Sequence, residues 1–234
     1  GKNLKKKMIK DGKGIRDISA SMQNILEDRL SGLNKDEDVV LSLLSVFFNE
    51  VSYEVLSSLW GKNPNKLIVC LEKLKESMII REIVGKKGEL SYRFSHLKLR
   101  DYVYSRLSQP RARILNNKVG LFLENYYGDI TFDWGKISEM IYYFDRAGNM
   151  MKKAEYLLKY LYFNYNVVNE LFPLLEDTTL ENITEYGICT DSPEMYFDDL
   201  KSTIDRIRIQ RGDLPEIRRI ARHLKCIKTN QMIW

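Results

Sequence analysis

The sequence predicts a mainly α-helical chain in which a winged helix, made of three helices and a β-hairpin, precedes an all-α, repeat-like domain. Two observations predict this fold class. Before residue 109, three amphipathic helical patterns are followed by two β-rich runs around a glycine-containing loop, which is the element order of a winged helix. After residue 109, the apolar residues recur at helical spacing. The predicted parts are a basic leader (1–18), a winged-helix domain (19–108) and a helical-repeat domain (109–234).

The helices of the predicted winged helix are placed by their caps. A capping side chain accepts hydrogen bonds from the free N–H groups at a helix start, so Ser, Thr, Asp and Asn mark N-termini. The caps in chain order are Ser19 or Ser21, then Asn34 with the capping-box acid Glu37, then Ser52, then Asn63 before Pro64. The helix after Asn63 carries one apolar stripe of Leu67, Leu71 and Leu74. Counted from the Asn34 cap, this is the third helix, the element that enters the DNA groove in DNA-binding members of the class.

A hairpin and a connecting helix complete this domain. The β-rich runs Met78–Val84 and Glu89–Phe94 flank a glycine-containing turn, which predicts a hairpin. A helix over roughly His96–Arg106 leaves the second run.

The region after residue 109 divides into helices at proline, glycine and aspartate signals. The predicted helices are Pro110 to about Asn125, Trp134–Ala147, Met150–Phe163, Asp177–Tyr186, Met195–Gln210 and a last one from an Asp213 cap through Leu224. Gly148 fits a left-handed C-terminal cap, so the second and third of these form a helical hairpin. One such unit resembles a tetratricopeptide (TPR) repeat of ~34 residues. Dense tyrosines and phenylalanines on these helices predict an aromatic core.

Composition and charge exclude several classes of protein. The 44% hydrophobic and 29% charged shares fit a folded chain rather than a disordered one. No apolar run approaches the ~20 residues of a membrane-spanning helix, and the three cysteines form no close pairs, so we expect a cytoplasmic protein without a membrane partner. The chain begins with Gly1, and we expect it to be part of a longer protein. Residues 1–14 carry six lysines and one aspartate, while 204–234 are also basic and 170–203 are acidic.

No pattern of catalytic residues is present in the sequence. A phosphate-binding loop needs glycines ending in Lys-Ser/Thr, a metal site needs clustered ligands, and a nucleophile elbow needs Gly-x-Ser-x-Gly. The chain has none of these, and His96 and His223 are far apart. We therefore expect no catalytic residues, no metal and no cofactor within this chain, which is not predicted to be an enzyme.

Nucleic-acid binding is an alternative that the winged-helix prediction raises. The candidate contacts are Lys66 and Lys73 on the third helix and Lys86 and Lys87 at the hairpin tip. The same helix face carries apolar Ile68, Val69 and Cys70 with acidic Glu72, and it has no arginine to read base edges. This composition favours protein contacts over DNA reading.

The stretch from Phe94 to Tyr104 resembles a family motif. It has Phe94-Ser95-His96, Leu99-Arg100 and Val103-Tyr104 at the spacing F-x-H-x-x-L-R-x-x-V-Y. This is similar to a segment of large bacterial signal-transduction ATPases with numerous domains (the STAND class), the maltose-regulator-like transcriptional activators. Further similar stretches are 25–33, 111–115, 121–124, 147–154 and 170–173, so the resemblance covers roughly residues 20–175. Leu97 departs from the acid common in the family, and Asn116 or Asn117 stands where histidine is common.

The resemblance implies a regulatory role. In that family an ATPase precedes the winged helix, superhelical repeats follow it, and the motif histidine faces the phosphates of bound ADP. By resemblance, His96 and Arg100 would be nucleotide-sensing residues in the longer protein. The residues alone equally allow His96 to cap or pack at a strand-to-helix junction. They also allow Arg100 and Tyr104, one and two turns beyond it, to brace the winged helix on the next helix.

The predicted function is that of a non-catalytic regulatory segment of a signal-responsive bacterial transcriptional regulator. Its expected partners are a neighbouring ATPase domain and a protein or small-molecule inducer at the helical domain. Two alternatives stay open: a DNA-binding winged helix with a helical effector domain, and a protein–protein interaction scaffold.

Overall fold

The computed structural model is mainly helical and contains a small antiparallel sheet, which confirms the predicted class at that level. It describes residues 27, 29–47, 49–85, 88–128, 130, 133–163 and 193–231. The chain clusters into two units, Gly1–Val119 and Gly120–Trp234, and the division falls inside one helix.

The first unit combines helices with three short strands. Its elements are α1 (Lys35–Val46), β1 (Val51–Ser52), α2 (Tyr53–Trp60), α3 (Pro64–Glu76), β2 (Ile80–Val84), β3 (Leu90–Phe94), α4 (Leu97–Ser105) and the first part of α5 (Gln109–Tyr127). The helix starts follow the capping signals of the sequence. Asn34 accepts from the backbone N–H groups of Asp36 and Glu37 at 2.9 Å, and the Glu37 carboxylate accepts from the Asn34 N–H at 2.9 Å. This reciprocal pair is a capping box.

The sheet has the strand order β1-β3-β2, with both pairings antiparallel. Val51 is opposite Tyr92, and Ile80 is opposite Phe94. The hairpin connecting β2 and β3 is closed by a hydrogen bond from the Gly85 N–H to the Glu89 carbonyl. The two-residue strand β1 is too short to leave a periodic signal in the sequence, and it was not predicted.

The core of the first unit lies between α1, α3, α4 and the sheet. Its most completely buried side chains include Val40, Leu41, Leu56, Leu59, Leu67, Leu71, Leu74, Ile79, Ile80 and Leu99. Each such side chain contributes about 1.5–3 kcal/mol when it leaves water. The predicted stripe of Leu67, Leu71 and Leu74 on α3 is therefore confirmed as the buried face of that helix.

The second unit is helical throughout the part that the structure describes. It contains the end of α5, α6 (Trp134–Ala147), α7 (Met150–Phe163), α8 (Pro193–Arg211) and α9 (Pro215–Gln231). Gly148 has a φ of 70° and ends α6, as the predicted left-handed cap requires. Helix α7 packs against α6, α8 and α9. The predicted aromatic core is confirmed for Tyr143, Phe144, Tyr156 and Tyr160, which are buried.

Some predictions lie outside the described residues or need adjustment. The basic leader (1–18), the helix start at Ser19 or Ser21 and the helix Asp177–Tyr186 fall outside them. The last helix begins at Pro215, whereas the sequence placed its cap at Asp213. The Asp213 carboxylate instead lies 3.1 Å from Arg208 Nε and 3.6 Å from Arg218 Nε.

Candidate functional site

A cleft of about 750 Å³ opens beside the corner where β3 ends and α4 begins. It is lined by Leu44, Phe47, Asn49, Glu50, Arg93, Phe94, Ser95, Leu97 and Arg100, and we call it the corner cleft. Leu44, Phe47 and Phe94 are buried and form an apolar floor, while Asn49, Glu50 and Arg93 are exposed at the rim. An apolar centre with a polar rim is the composition of a binding surface.

His96 stands between two residues that line the corner cleft, Ser95 and Leu97, and does not line the cleft itself. It is the N-cap residue of α4 and is exposed. Its backbone is extended (φ −139°, ψ 136°), and its side chain makes no capping hydrogen bond. The imidazole is thus not used to close the helix, which removes one of the two structural roles that the sequence allowed for it.

Arg100 is placed one turn further along α4, and it is buried. Its Nε donates to the backbone carbonyl of Ser45 at 3.1 Å, and one terminal nitrogen lies 3.4 Å from the Asp101 carboxylate. The guanidinium therefore connects α4 to the end of α1 and fixes one wall of the corner cleft. The sequence grouped Arg100 with His96 as a nucleotide-sensing pair, and the structure places the two near one cleft with different surroundings: one exposed, one buried.

The side-chain amide of Asn116 connects the end of α4 to the following helix, α5. Asn116 of α5 is fully buried, and its Nδ2 donates to the Tyr104 hydroxyl at 3.0 Å and to the Ala112 carbonyl at 2.7 Å. The bracing contact that the sequence suggested for this region of α4 is made by Tyr104.

The exposed face of α3 is where a DNA-reading surface was considered. Ile68 is 41% exposed and Val69 is 49% exposed, so apolar groups occupy the middle of this face. Lys66 is exposed, and Lys73 Nζ lies 3.5 Å from a Glu37 carboxylate oxygen. Cys70 had been assigned to the same face, and this was wrong: it is buried beside the leucine stripe, and burial raises the pKa of its thiol.

Lys86 and Lys87 lie outside the described residues, so only Lys66 and Lys73 of the four candidate nucleic-acid contacts have a described position. These two lie on α3. Neither lines the corner cleft.

The second unit contains two polar networks that sequence reasoning missed. Glu139 accepts a hydrogen bond from the Tyr127 hydroxyl at 3.0 Å and another from Tyr143, and burial raises the pKa of this carboxyl group. Glu124 accepts hydrogen bonds from the Tyr156 hydroxyl at 2.9 Å and from Lys152 at 2.8 Å. Both networks join α5 to α6 or α7 within this unit. These contacts join residues on different helices. The sequence alone therefore does not show that the glutamates and tyrosines meet.

The described part of the chain contains neither a metal-binding cluster nor a membrane-spanning helix. No group of three or more His, Cys, Asp or Glu residues there is arranged to hold a metal ion. Among those same residues, no helix has the length and apolar character needed to cross a membrane.

Comparison of the chain with known proteins found no matching family model, no matching curated protein and no matching solved structure.

Proposed function

We propose that the chain is a regulatory segment of a signal-responsive bacterial transcriptional regulator. In this proposal, residues 19–108 are a winged helix that docks through the corner cleft onto a neighbouring nucleotide-binding module, and residues 109–234 are a TPR-like domain that receives a ligand or protein signal. The observation that carries the proposal is the corner cleft, whose apolar floor is bordered by the polar Asn49, Glu50 and Arg93 and whose lining residues Ser95 and Leu97 flank the exposed His96 in the chain.

The composition of the cleft supports docking of a protein surface. Leu97 at its edge is 54% exposed, which leaves a large apolar side chain in water next to the buried floor. Because about half of this side chain is still exposed, covering the rest is worth roughly 1 kcal/mol. A neighbouring module that inserts an apolar group here would bury Leu97 and complete the surface around Phe47 and Phe94.

The cations beside the cleft support contact with an anion of that module. Arg93 is exposed on the rim, and His96 presents ring nitrogens that can donate to a phosphate oxygen. Because Arg100 donates to Ser45, it acts in this proposal by holding the wall of the cleft. His96 is therefore the proposed sensing residue and Arg100 is a positioning residue.

The exposed face of α3 gives less support to the alternative of a DNA-reading winged helix. Base reading in the major groove uses Arg, Lys, Asn or Gln side chains that reach the base edges. Here Ile68 and Val69 occupy that face, and Lys73 lies close to Glu37. These features fit contact with protein better than contact with DNA.

The proposed mechanism is a shift between two states. Docking of the winged helix holds the nucleotide-binding module closed, and signal binding to the helical domain favours the open state. A ligand shifts this equilibrium only by the difference between its affinities for the two states. Release of bound ADP is then the measurable step that docking slows.

In this proposal the chain is joined to a nucleotide-binding module, and the test uses the protein that contains both. The protein is loaded with a fluorescent ADP analogue, and the release rate is measured for the wild type and for His96→Ala. We expect release to accelerate by about tenfold, since one charge-assisted hydrogen bond is worth roughly 1.5 kcal/mol. Lys98→Ala is the matched control, because Lys98 is an exposed cation two residues further along, at a position that the motif F-x-H-x-x-L-R leaves open.

Equal release rates in the wild type and His96→Ala would contradict the sensing role. A protein that binds no ADP analogue would contradict the nucleotide-binding partner. If the analogue binds and Leu97→Asp also leaves its release unchanged, docking through the corner cleft is contradicted.

A further inference from the structure

Residues of α8 and α9 line a basic groove in the second unit. The groove has a volume of about 700 Å³, and its lining residues are Arg208 of α8 with Pro215, Arg218, Ala221, Arg222 and Lys225 of α9. We call this the basic groove. Four of its six lining side chains are cationic, and neither the corner cleft nor the sequence motifs account for it.

The cations of α9 are arranged in a row. Arg218, Arg222 and Lys225 have the spacing i, i+4 and i+7, which places them on one face of the helix. The opposite face of α9 is buried through Ile217, Ile220 and Leu224. At the rise of an α-helix, the three charges are separated by about 6 Å and about 4.5 Å along the axis. The row therefore fits a ligand whose negative charges are also distributed along a line.

Basic residues outnumber acidic residues in this described segment of the chain. From residue 204 to residue 227 there are seven basic and three acidic residues. Asp213 lies near two of the cations, with 3.1 Å to Arg208 and 3.6 Å to Arg218. Arg222 has no ion-pair partner within the part of the chain that the structure describes, and it is exposed. The Asp213 carboxylate is thus shared by Arg208 and Arg218, and the exposed Arg222 adds to the positive potential of the groove.

The other lining residues restrict the class of ligand. The apolar part of the lining consists of Pro215, Ala221 and the aliphatic stems of the arginine and lysine side chains. A bound amphipathic peptide helix would also have to bring acidic side chains to the charged ends of these stems, whereas a DNA backbone carries a phosphate at every step. Single-stranded nucleic acids are bound through aromatic side chains that stack on the bases, and the lining contains none. A duplex, which presents regularly spaced phosphates and keeps its bases stacked internally, meets neither obstacle.

We propose that the basic groove binds the phosphate backbone of double-stranded DNA without reading its sequence. The contacts are charge-assisted hydrogen bonds from Arg218, Arg222 and Lys225 to phosphate oxygens, with Arg208 on the other wall. This site is separate from α3, the helix of the first unit on which DNA contacts had been considered. It goes beyond the proposed regulatory function, because it gives the helical domain a partner of its own.

The test measures binding of the whole chain to a fluorescent DNA duplex of about 20 base pairs by anisotropy, at about 50 mM and about 200 mM salt. With four phosphate contacts, the wild type should lose roughly 100-fold in affinity between these two concentrations. The triple variant Arg218→Gln, Arg222→Gln, Lys225→Gln should bind at least tenfold more weakly at the lower salt and show a shallower salt dependence.

The control is a charge-matched triple variant in the basic leader. Lys5→Gln, Lys6→Gln, Lys7→Gln removes the same number of positive charges from residues 1–14, and it should retain most of the binding. Circular dichroism checks that both triple variants fold. If the α9 triple variant is unfolded, the single exposed change Arg222→Gln replaces it, with an expected loss of about threefold in affinity.

The proposal is overturned if the wild type does not bind the duplex at the lower salt, or if the folded α9 variant binds it as well as the wild type does. Loss of binding only in the leader variant would also overturn it. So would tighter binding of a single strand or of polyglutamate than of the duplex.

Discussion

Lys153 of α7 reaches across to α8, where its Nζ lies 2.8 Å from the Asp199 carboxylate. The same nitrogen is 2.8 Å from the Asp145 carboxylate near the end of α6. The lysine side chain is only 7% exposed, whereas both aspartates are about half exposed. One buried cation thus connects three helices of the second unit.

Replacing Lys153 with Met should destabilise the second unit by about 1–3 kcal/mol. Methionine fills a similar volume, so the loss reports the two hydrogen bonds and the repulsion between two carboxylates left without their shared cation. The measurement is urea unfolding followed by circular dichroism, with Lys201→Met on the exposed face of α8 as the control. Equal midpoints for the two variants would show that the buried lysine adds no net stability.

The pH dependence of this contact follows from its charges. Burial lowers the pKa of Lys153, but the hydrogen bonds to Asp145 and Asp199 outweigh it, so the pKa is raised above its usual value of 10.5. A cation with a raised pKa contributes its full stability below the pKa of the unfolded chain, and loses it as the pH rises through the folded value. The difference between wild type and Lys153→Met should therefore persist at pH 7 and shrink above about pH 10.5.

Gly120 of α5 has a steric role in the second unit. A Cβ atom built there would lie 3.0 Å from a ring carbon of Phe144 and 3.3 Å from the Tyr143 Cβ, and both aromatic side chains are fully buried. Alanine improves helix propensity by about 1 kcal/mol, but overpacking a core costs about 1–3 kcal/mol. We expect Gly120→Ala to lower the melting temperature by several degrees.

The control for this change is Gly135→Ala in the first turn of α6. There the nearest atom to the added Cβ is an Asp133 carboxylate oxygen at 3.4 Å, and the residue is exposed. This variant should be neutral or more stable. A melting temperature that rises in Gly120→Ala as much as in Gly135→Ala would mean that Phe144 moves aside at little cost.

Local signals in the sequence predicted much of the secondary structure. Asn34, Ser52 and Asn63 mark the starts of three helices, and each accepts the backbone hydrogen bond that its type predicts. The helices Trp134–Ala147 and Met150–Phe163 were predicted with the observed bounds. These features depend on interactions within a few residues, so they can be read from a single chain.

Features that need distant residues to meet could not be predicted. The corner cleft combines Phe47 with Phe94, and β1 exists only because Val51 pairs with Tyr92. Lys153 follows another lysine and precedes Ala154 in a pattern that is equally compatible with a solvated face. Its burial depends on Asp199, which is 46 residues further along.

The capping box at Asn34 is a local feature whose energy can be tested directly. Asn34→Ala removes the acceptor for the Asp36 and Glu37 N–H groups, and it should destabilise the first unit by about 1 kcal/mol. Asn65→Ala, an exposed position on α3, is the control. The measurement is chemical unfolding of both variants. Equal stability of the two would indicate that water replaces the cap without loss.

The pKa of the Glu139 carboxyl group is raised, because burial disfavours its charged form. A carboxyl group with a raised pKa costs stability above that pKa, and the cost disappears as the pH falls below the value of about 4.3 in the unfolded chain. Glutamine keeps an acceptor for Tyr127 without the charge. We therefore expect Glu139→Gln to be as stable as the wild type or more stable at pH 7, and to lose that advantage below about pH 4.

The measurement is the free energy of unfolding of wild type and Glu139→Gln from pH 3.5 to 7.5, in steps of about half a unit. Glu155→Gln is the matched control, since Glu155 is a half-exposed glutamate on α7 that lies 3.4 Å from Lys152. It should lose a little stability at pH 7, because it gives up an ion pair. The contrary result is a loss of stability at pH 7 in Glu139→Gln that exceeds the loss in Glu155→Gln. It would show that the hydrogen bonds from the tyrosines to the charged carboxylate outweigh the cost of burying it.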